Sequence, residues 1–458
     1  MMLHRRSVLL GSSALLLGGA RLHAQSAPEQ ELVALLREHI EAGHETMGLV
    51  AGRIDDGRRI VATYGRSGAA NNRPLDADTV FEIGSITKVF TALLLAEMVG
   101  RGEVALDDPA AKFLPERVRM PEYQGVPITL LDLATYTSGL PRMPDNFAPK
   151  DPANPYADYT ADRLYDFLSS HKLGFTPGKH YEYANLGFGL LGHVLSLRAG
   201  KSYEELVTSR ICAPLGMDDT RITLSAAMRE RLAQGHDTAL APVANWDLDA
   251  LAGAGALRST LNDLFKFVEA YQGTRDTPLA AAMKMTLSVR RPRESQRDVA
   301  MGWFTSLRFD DEVIWKDGGT GGYATFIGYS TRTGKASILL SNANDYAANT
   351  SLAVNMINPA YPPPKIRREV PVDPALLAAY VGRYQIVPTF VLTVRADGSH
   401  LFVQATGQAE YEVFAESETD FFYRVVDAQL TFARPGDGAA PMLTLHQNGK
   451  DMRGRRMP

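Results

Sequence analysis

Phe81-Glu82-Ile83-Gly84-Ser85-Ile86-Thr87-Lys88 places a serine at the start of an apolar segment, which we predict to be a helix from Ser85 to Val99. Free backbone N–H groups and the helix dipole favour negative charge at such a position. Lys88 follows three residues after the serine and therefore lies on the same helical face. An amine that burial keeps neutral can accept the serine proton. The pattern predicts a nucleophilic serine beside a lysine base.

A second Ser-x-x-Lys pattern shows that the first is weak evidence when taken alone. Ser169-Ser170-His171-Lys172 matches it equally well, but it falls at the end of a predicted helix, just before Leu173-Gly174. We interpret this second copy as solvated surface. The first copy also has an ordinary interpretation, with Ser85 as a helix cap and Lys88 as a surface charge.

Two further motifs follow the first in order. Tyr181-Glu182-Tyr183-Ala184-Asn185 contains the chain's only Tyr-x-Asn, in which we expect Tyr183 to share a proton with Lys88 and Asn185 to hydrogen-bond a substrate amide. Trp315-Lys316-Asp317-Gly318-Gly319-Thr320-Gly321-Gly322-Tyr323 places a cation among glycines that permit close backbone approach. Three motifs in one order, about 100 and 130 residues apart, favour a single active site over chance.

With these motifs the chain resembles the serine β-lactamase and penicillin-binding-protein family, nearest to class C β-lactamases and related D-alanyl-D-alanine carboxypeptidases and endopeptidases. Leu133-Ala134-Thr135-Tyr136-Thr137-Ser138-Gly139-Leu140-Pro141 is similar to the family's Ala-Thr-Tyr-Thr segment, and Gly253 to Leu257 before Ser259-Thr260 also fits. The resemblance covers about residues 30–350. It implies an α+β fold, in which an antiparallel sheet is flanked by a helical domain.

The resemblance also implies a role for each residue of the motifs. Ser85 would attack a carbonyl, with Lys88 and Tyr183 together as general base, and the backbone N–H groups of Ser85 and Gly319 would form the oxyanion hole. Lys316 should lower the pKa of Lys88 by like-charge repulsion and that of Tyr183 by stabilising a tyrosinate. The substrate-binding residues would be Asn185, Lys316, Gly318, Gly319 and Thr320.

Two departures from the family pattern argue against efficient β-lactam turnover. The usual Lys-Thr-Gly is Lys316-Asp317-Gly318 here, which puts a carboxylate beside the substrate-carboxylate site. Arg142-Met143 stands where class C β-lactamases carry a substrate-contacting Gln. We therefore expect hydrolysis of β-lactams or D-alanyl peptides, and keep two alternatives. One is a family VIII-type carboxylesterase on the same fold, and the other is a sensor that binds β-lactams or peptidoglycan without turnover.

Composition argues against several other classes. The 48 Lys and Arg residues against 52 Asp and Glu residues leave no basic excess for nucleic acid. The single cysteine, Cys212, cannot form an internal disulfide, and ten scattered His residues do not suggest a metal site. Gly187-Phe188-Gly189-Leu190-Leu191-Gly192 matches a dinucleotide motif but lies in an apolar helix without a βαβ unit. We expect no cofactor and no metal, and a small-molecule or peptide substrate.

The first 24 residues have the features of an export signal. Basic Arg5-Arg6 precedes an apolar run from Ser7 to Gly19, and small residues precede Gln25. The run is too short to span a bilayer, and Arg5-Arg6 is similar to a twin-arginine signal. We predict a periplasmic or secreted protein without a stable membrane anchor.

The rest of the chain divides into two predicted domains. A hydrolase domain spans 25–357, a proline-rich linker spans 358–372, and a lipocalin-like antiparallel β-barrel of five or six strands spans 373–458. Within the first domain we predict an opening helix, a hairpin around Asp55-Asp56-Gly57, helix and loop over about 105–300, and strands over 313–341. The barrel could mediate homo-oligomerisation or cover the active site.

Overall fold

The structure is a computed structural model. It describes residues 26–43, 46–293, 297–365, 367–388, 390–406, 410–423, 428–436, 438–447 and 450–458. The predicted export signal over residues 1–24 lies outside these described residues. Among the helices that the structure describes, none combines the length and the apolar character needed to cross a membrane.

The larger part of the chain is built on one antiparallel sheet of eight strands. In spatial order the strands are Arg58–Gly65, Gly48–Asp55, Ala336–Ser341, Ala324–Ser330, Asp311–Gly319, Phe304–Arg308, Arg297–Ala300 and Arg290–Arg293. Gly48–Asp55 pairs with Ala336–Ser341, so segments that are distant in the sequence assemble this sheet. The prediction of helix and loop up to residue 300 was wrong at its end, because Arg290–Arg293 and Arg297–Ala300 are the last two strands at one side of the sheet.

The first hairpin follows from its turn residues. Asp55 pairs with Arg58, so that Asp56 and Gly57 form a two-residue turn with φ values of +48° and +73°. A type I′ turn needs positive φ at both positions, and Asp-Gly is among its preferred sequences. The turn thereby sets the register of the hairpin.

Both faces of the sheet are covered by helices. On one face Leu49, Phe326 and Leu339 pack with side chains of the helices Ala27–Gly43 and Tyr346–Ile357. On the other face the alternate residues, including Val50 and Leu340, join the main core. This alternation is the period of two expected of a strand that is buried on both sides.

Ten further helices lie between Thr87 and Ser288 in the described residues, and most of them contribute side chains to the main core. They are Thr87–Gly100, Leu130–Ala134, Ala161–Ser170, Asn185–Ala199, Tyr203–Val207, Ala213–Leu215, Ala226–Arg231, Ala252–Gly255, Leu261–Tyr271 and Ala280–Ser288, with 3-10 turns at Gly84–Ile86, Ala110–Phe113 and Asp249–Leu251 and a π-helical turn at Thr208–Cys212. Thr260 caps its helix by accepting a bond from the Asp263 backbone N–H at 3.2 Å. Two short ribbons pair Phe81–Glu82 with Arg258–Ser259, and Glu122–Tyr123 with Val126–Pro127.

The C-terminal part is a closed antiparallel barrel. Its eight strands are Gly382–Val387, Phe390–Asp397, His400–Ala405, Glu410–Ala415, Asp420–Tyr423, Ala428–Phe432, Met442–Gln447 and Lys450–Arg456. The prediction of five or six strands was too low, because the first and last strands are largely polar. These two strands pair with each other, Tyr384 opposite Arg456, and so close the barrel. Leu377 and Tyr380 of the helix Pro374–Tyr380 pack into its core.

The segment before the barrel is attached to it by polar contacts. Lys365 and Arg367 both pair with Glu416, at 2.7 and 2.6 Å, and the Val370 N–H donates to the Ala415 carbonyl at 2.8 Å. A cavity of about 1010 Å³ separates the barrel from the helix Ala27–Gly43. That helix covers the sheet face opposite the main core, so this end of the barrel faces away from the helices of the main core.

Candidate active site

Ser85 sits in the 3-10 turn Gly84–Ile86, which leads directly into the helix Thr87–Gly100. The predicted helix is thus present, but its first turn is wound more tightly than an α-helix. Ser85 is half-buried and Lys88 is fully buried below it. Because its residues are largely apolar, the helix runs through the main core. Lys88 therefore lies in surroundings that disfavour its charged form.

Three acceptors surround the Lys88 ammonium. Its Nζ donates to Ser85 Oγ at 2.9 Å, to Asn185 Oδ1 at 2.9 Å and to the Ala254 carbonyl at 2.6 Å. Three acceptors match the three N–H bonds of a lysine ammonium. The Ala254 carbonyl belongs to the segment that resembles the family around 253–257, and the sequence alone gave it no chemical role.

Tyr183 reaches the same serine oxygen from the other side. Its hydroxyl donates to Ser85 Oγ at 2.7 Å. The ring of Tyr136 stacks on it, with centroids 5.0 Å apart and planes at 21°. Tyr136 adopts a φ of +59°, and its carbonyl accepts the Glu182 N–H at 2.8 Å. The Ala-Thr-Tyr-Thr segment therefore positions Tyr183 through both its backbone and its ring.

Burial and neighbouring charges bring the pKa values of the two groups together. Burial lowers the pKa of Lys88, the charge of Tyr183 opposes this and Lys316 lowers the pKa further, to about 8. Burial raises the pKa of Tyr183, but the cations of Lys316 and Lys88 outweigh it and bring the value to about 8. Lys316 acts on both in the expected direction, although burial is the larger cause for Lys88. Two matched groups can exchange a proton at little cost.

Lys316 is fully buried at the end of the strand Asp311–Gly319. Its Nζ donates to Asp317 Oδ1 at 3.0 Å, and it lies 5.1 Å from the Tyr183 ring centroid and 4.2 Å from that of Phe304. Burial lowers the pKa of Lys316, but Tyr183 and Asp317 raise it more, and the net direction is upward. The raised pKa and the contact with Asp317 both favour the charged form of Lys316.

Glycines allow the end of this strand to contact the serine turn. A β-carbon on Gly318 would lie 2.0 Å from the Ile83 carbonyl oxygen, and one on Gly84 would lie 2.7 Å from the Gly319 nitrogen. Gly84 also needs its φ of +49°. Thr320 follows, buried, with its N–H donating to the Tyr323 carbonyl at 3.0 Å. The predicted residues Gly318 and Gly319 thus lie against the backbone that directly precedes Ser85, and Thr320 follows them in the chain.

Asn185 differs in part from its predicted use. Its Oδ1 accepts from Lys88, while its Nδ2 lies 3.3 Å from the Tyr156 hydroxyl and 3.8 Å from Met143 Sδ. Only the amide N–H₂ therefore faces groups that a substrate could displace. Tyr156 packs on Trp246, with 5.2 Å between the ring centroids. Its hydroxyl also reaches the active site, which its position in a loop sequence did not indicate.

A buried ion pair holds the loop that carries Trp246. Glu82 Oε1 accepts from Arg258 Nη2 at 3.0 Å and from the Trp246 backbone N–H at 3.0 Å. Burial raises the pKa of Glu82, and Arg258 opposes that effect. The Trp246 indole lies against Gly321, where a β-carbon would come within 2.8 Å of its nitrogen. The pair thus fixes one wall of the site.

The motifs that we set aside have structural roles. Ser169 and Lys172 are exposed, which fits solvated surface. Gly189 and Gly192 contact Leu251 and Gly253 so closely that a β-carbon would clash, so these glycines serve helix packing. Cys212 is buried, and burial raises the pKa of its thiol. In the described ranges, no group of three or more His, Cys, Asp or Glu side chains is arranged to hold a metal ion.

Comparison with known proteins gives two family matches along the chain. The family described as "Beta-lactamase" matches residues 36–356, and the family described as "Domain of unknown function (DUF3471)" matches residues 367–456. The first match includes all of the predicted site residues.

Individual proteins give a consistent picture. The D-alanyl-D-alanine-carboxypeptidase/endopeptidase AmpH of Escherichia coli (strain K12) is 32% identical over 311 residues, covering 65% of this chain and 80% of its own. Penicillin-binding protein 4* of Bacillus subtilis (strain 168) is 27% identical over 415 residues, covering 85% and 90%. A class C β-lactamase structure from Rhodobacter sphaeroides superposes with a TM-score of 0.62 at 25% identity, covering 71% and 98%.

Proposed function

The chain belongs to the β-lactamase family, and from that premise we propose that it is an exported serine hydrolase that cleaves amide bonds of D-alanyl peptides or β-lactams through an acyl-enzyme on Ser85. Its relatives include a D-alanyl-D-alanine carboxypeptidase/endopeptidase and a penicillin-binding protein, which supports a hydrolase of the penicillin-recognising type. The observation that carries the proposal is the convergence of Lys88 and Tyr183 on Ser85 Oγ, at 2.9 and 2.7 Å.

Acylation starts with the loss of a proton from the base pair. Once Tyr183 or Lys88 is deprotonated, its bond to Ser85 reverses and the serine hydroxyl donates. Oγ then forms a bond to the substrate carbonyl carbon while its proton moves to the base. The negative charge that develops on the carbonyl oxygen is met by the N–H groups of Ser85 and Gly319. The C–N bond breaks as the leaving nitrogen takes the proton from Tyr183.

Deacylation repeats the sequence with water as the nucleophile. Tyr183 accepts a proton from the water, the new C–O bond forms, and Ser85 leaves with a proton returned to its Oγ. The cation of Lys316 keeps Tyr183 acidic in both half-reactions. The chemistry requires no cofactor and no metal in this scheme, which uses only side chains and backbone N–H groups.

The same machinery would also serve the two alternatives. An esterase needs the same serine and base. Because Met143 stands where class C β-lactamases carry a substrate-contacting Gln, this position argues against β-lactam turnover but not against ester hydrolysis. A sensor needs acylation without deacylation. The fate of the adduct therefore distinguishes the sensor from the proposed hydrolase, whereas the esterase is distinguished by which substrates form an adduct at all.

Time-resolved intact-mass measurement after mixing with benzylpenicillin tests the proposal. An adduct on the Ser85 peptide that forms and decays supports turnover, and D-alanyl peptides should give the corresponding release of D-alanine. A permanent adduct with every substrate supports the sensor. Rapid turnover of short acyl esters without any adduct from penicillin or reaction with D-alanyl peptides would support the carboxylesterase and contradict the amide-bond proposal.

The export and barrel assignments complete the proposal. The first 24 residues would direct the chain to the periplasm or outside the cell, and the mature protein would begin at Gln25, which N-terminal sequencing of secreted material measures. The barrel lies across a cavity from the helix Ala27–Gly43, which covers the sheet face opposite the main core. Because Ser85 lies on the side of the main core, the barrel is poorly placed to close the active site of its own chain. We therefore propose homo-oligomerisation as the role of the barrel. Light scattering of the full mature chain tests this, and a monomer would contradict it.

A further inference from the structure

The Lys316 cation is neutralised within the chain by the residue that follows it. Successive side chains of a strand ordinarily point to opposite faces, yet Asp317 Oδ1 lies 3.0 Å from Lys316 Nζ, and both side chains are buried. An ion pair with so little exposure is weakly screened and hard to displace. A substrate carboxylate would have to approach Lys316 against the negative charge of Asp317. This position is therefore poorly suited to an anionic group.

Arg142 supplies a second cation at the rim of the same site. Its side chain is exposed, and its Cζ lies 5.3 Å from the centroid of the Tyr183 ring. Its carbonyl accepts the N–H groups of Asn185 at 3.0 Å and Leu186 at 3.3 Å, which fixes its backbone at the start of the Asn185 helix. Its charge contributes to the lowered pKa of Lys88. No acidic side chain in the described ranges forms an ion pair with it.

These two observations are complementary. The buried cation is paired with Asp317, whereas the exposed one is open to solvent. Both lie just over 5 Å from the centroid of the Tyr183 ring, whose hydroxyl contacts Ser85: 5.1 Å for Lys316 Nζ and 5.3 Å for Arg142 Cζ. A guanidinium presents paired N–H donors that match a carboxylate and, being stacked on a ring, is held in a defined orientation. We propose that Arg142, and not Lys316, recognises the anionic group of the substrate, because Asp317 occupies the ammonium of Lys316. This inference deepens the proposed function and rests on it.

Matched substrates that differ in one charge test the assignment. Acylation by N-acyl-D-alanyl-D-alanine and by its C-terminal amide is compared in the wild type, in Arg142→Gln and in the control Arg58→Gln, an exposed arginine on the first hairpin. We expect the wild type and Arg58→Gln to prefer the free carboxylate. Arg142→Gln should lose that preference by about tenfold or more. Equal losses for both substrates, or no preference in the wild type, would overturn the proposal.

A second substitution tests the role of Asp317. In the Arg142→Gln background, Asp317→Thr releases Lys316, so the preference for the carboxylate should return in part. If it does not return, Asp317 is not what keeps Lys316 from the substrate, and that half of the proposal is wrong. Folding of each variant is checked by its thermal unfolding midpoint, and a variant with a lowered midpoint is replaced by Arg142→Met or Asp317→Asn.

Failure of the proposed function is distinguishable from failure of this inference. If neither peptide nor penicillin reacts with the wild type, the amide-bond proposal fails. Calorimetry with phenylboronic acid and 3-carboxyphenylboronic acid, which require only a reactive serine, then decides the inference. The carboxylated compound should bind more tightly to the wild type and lose that advantage in Arg142→Gln. An advantage retained in Arg142→Gln, or none in the wild type, would overturn it.

Discussion

The backbones of Gly84 and Gly319 are in direct contact, so close that a β-carbon on Gly84 would lie 2.7 Å from both the nitrogen and the oxygen of Gly319. Gly84 directly precedes Ser85, and Gly319 directly follows the Lys-Asp-Gly motif. The contact therefore sets how far apart the N–H groups of Ser85 and Gly319 can be. The contact is possible only because Gly84 has no side chain, so a single substitution at Gly84 tests its importance.

Gly84→Ala should lower kcat by about a hundredfold, because a displacement of about 1 Å at the reacting atoms has that effect. Because Gly84 has a positive φ, the alanine would also be strained in the folded state, which should lower the free energy of unfolding by about 1–2 kcal/mol. Steady-state kinetics and urea unfolding measure the two effects. Gly100→Ala is the control, since nothing lies within 4 Å of its position. Unchanged kinetics in Gly84→Ala would show that the contact does not set the site.

The two Ser-x-x-Lys patterns provide a matched comparison within one chain. Ser85→Ala should abolish the covalent adduct, and Lys88→Met should slow acylation by about 10²- to 10⁴-fold, the usual contribution of a general base. Ser169→Ala and Lys172→Met remove the same residue types from the surface and should leave the rate unchanged. Intact-mass kinetics measure all four variants. Full activity in Ser85→Ala would refute the mechanism.

The acylation rate should rise with pH and level off above about 8. Lys88 and Tyr183 both have a lowered pKa of about 8, and the base must be deprotonated to accept the serine proton. Because the groups interact, the profile reports the pair and not either residue. Lys316 lowers both values, so Lys316→Gln should move the rise to higher pH. A profile that is flat from pH 6 to 10, or one that shifts to lower pH in Lys316→Gln, would contradict this assignment.

The buried pair of Glu82 and Arg258 should matter for stability as well as for the site. Glu82→Gln removes the buried partner of Arg258 and leaves only the exposed Asp247, at 3.7 Å, and breaking a buried pair in this way costs about 3–5 kcal/mol of unfolding free energy. The double variant Glu82→Gln with Arg258→Met should recover part of the loss. Asp162→Asn, which breaks an exposed pair with Arg117, should have no measurable effect. Urea unfolding distinguishes these outcomes.

Limited trypsin digestion should divide the chain near residue 368. Arg368 is exposed in the segment between the last helix of the hydrolase part and the barrel, whereas Arg367 is held by Glu416. Two stable fragments of the sizes expected for 25–368 and 369–458 would support the predicted division into domains. Cleavage that begins inside either part would contradict it. Mass spectrometry of the products identifies the cut.

The sequence predicted those features that depend on residue type and local spacing. The Asp-Gly turn and the Ser85 helix are local, and the chemical groups of the three motifs follow directly from their residue types. The strands Arg290–Arg293 and Lys450–Arg456 escaped prediction because edge and closing strands carry many charged residues, which hides the alternating pattern. The Ala254 carbonyl escaped it because every residue has a backbone carbonyl, so the partner of Lys88 is set by tertiary packing alone.

The order of strands in the main sheet has a consequence for how the protein is made. Gly48–Asp55 is among the first strands to be synthesised, but its neighbour Ala336–Ser341 follows about 290 residues later. At about 5–20 residues per second, the ribosome needs on the order of 15 to 60 s to supply it. Throughout that interval the nascent hairpin exposes an unpaired edge. In the barrel the first strand, Gly382–Val387, likewise waits for its partner Lys450–Arg456, so neither part of the protein can complete its sheet before its later strands are synthesised.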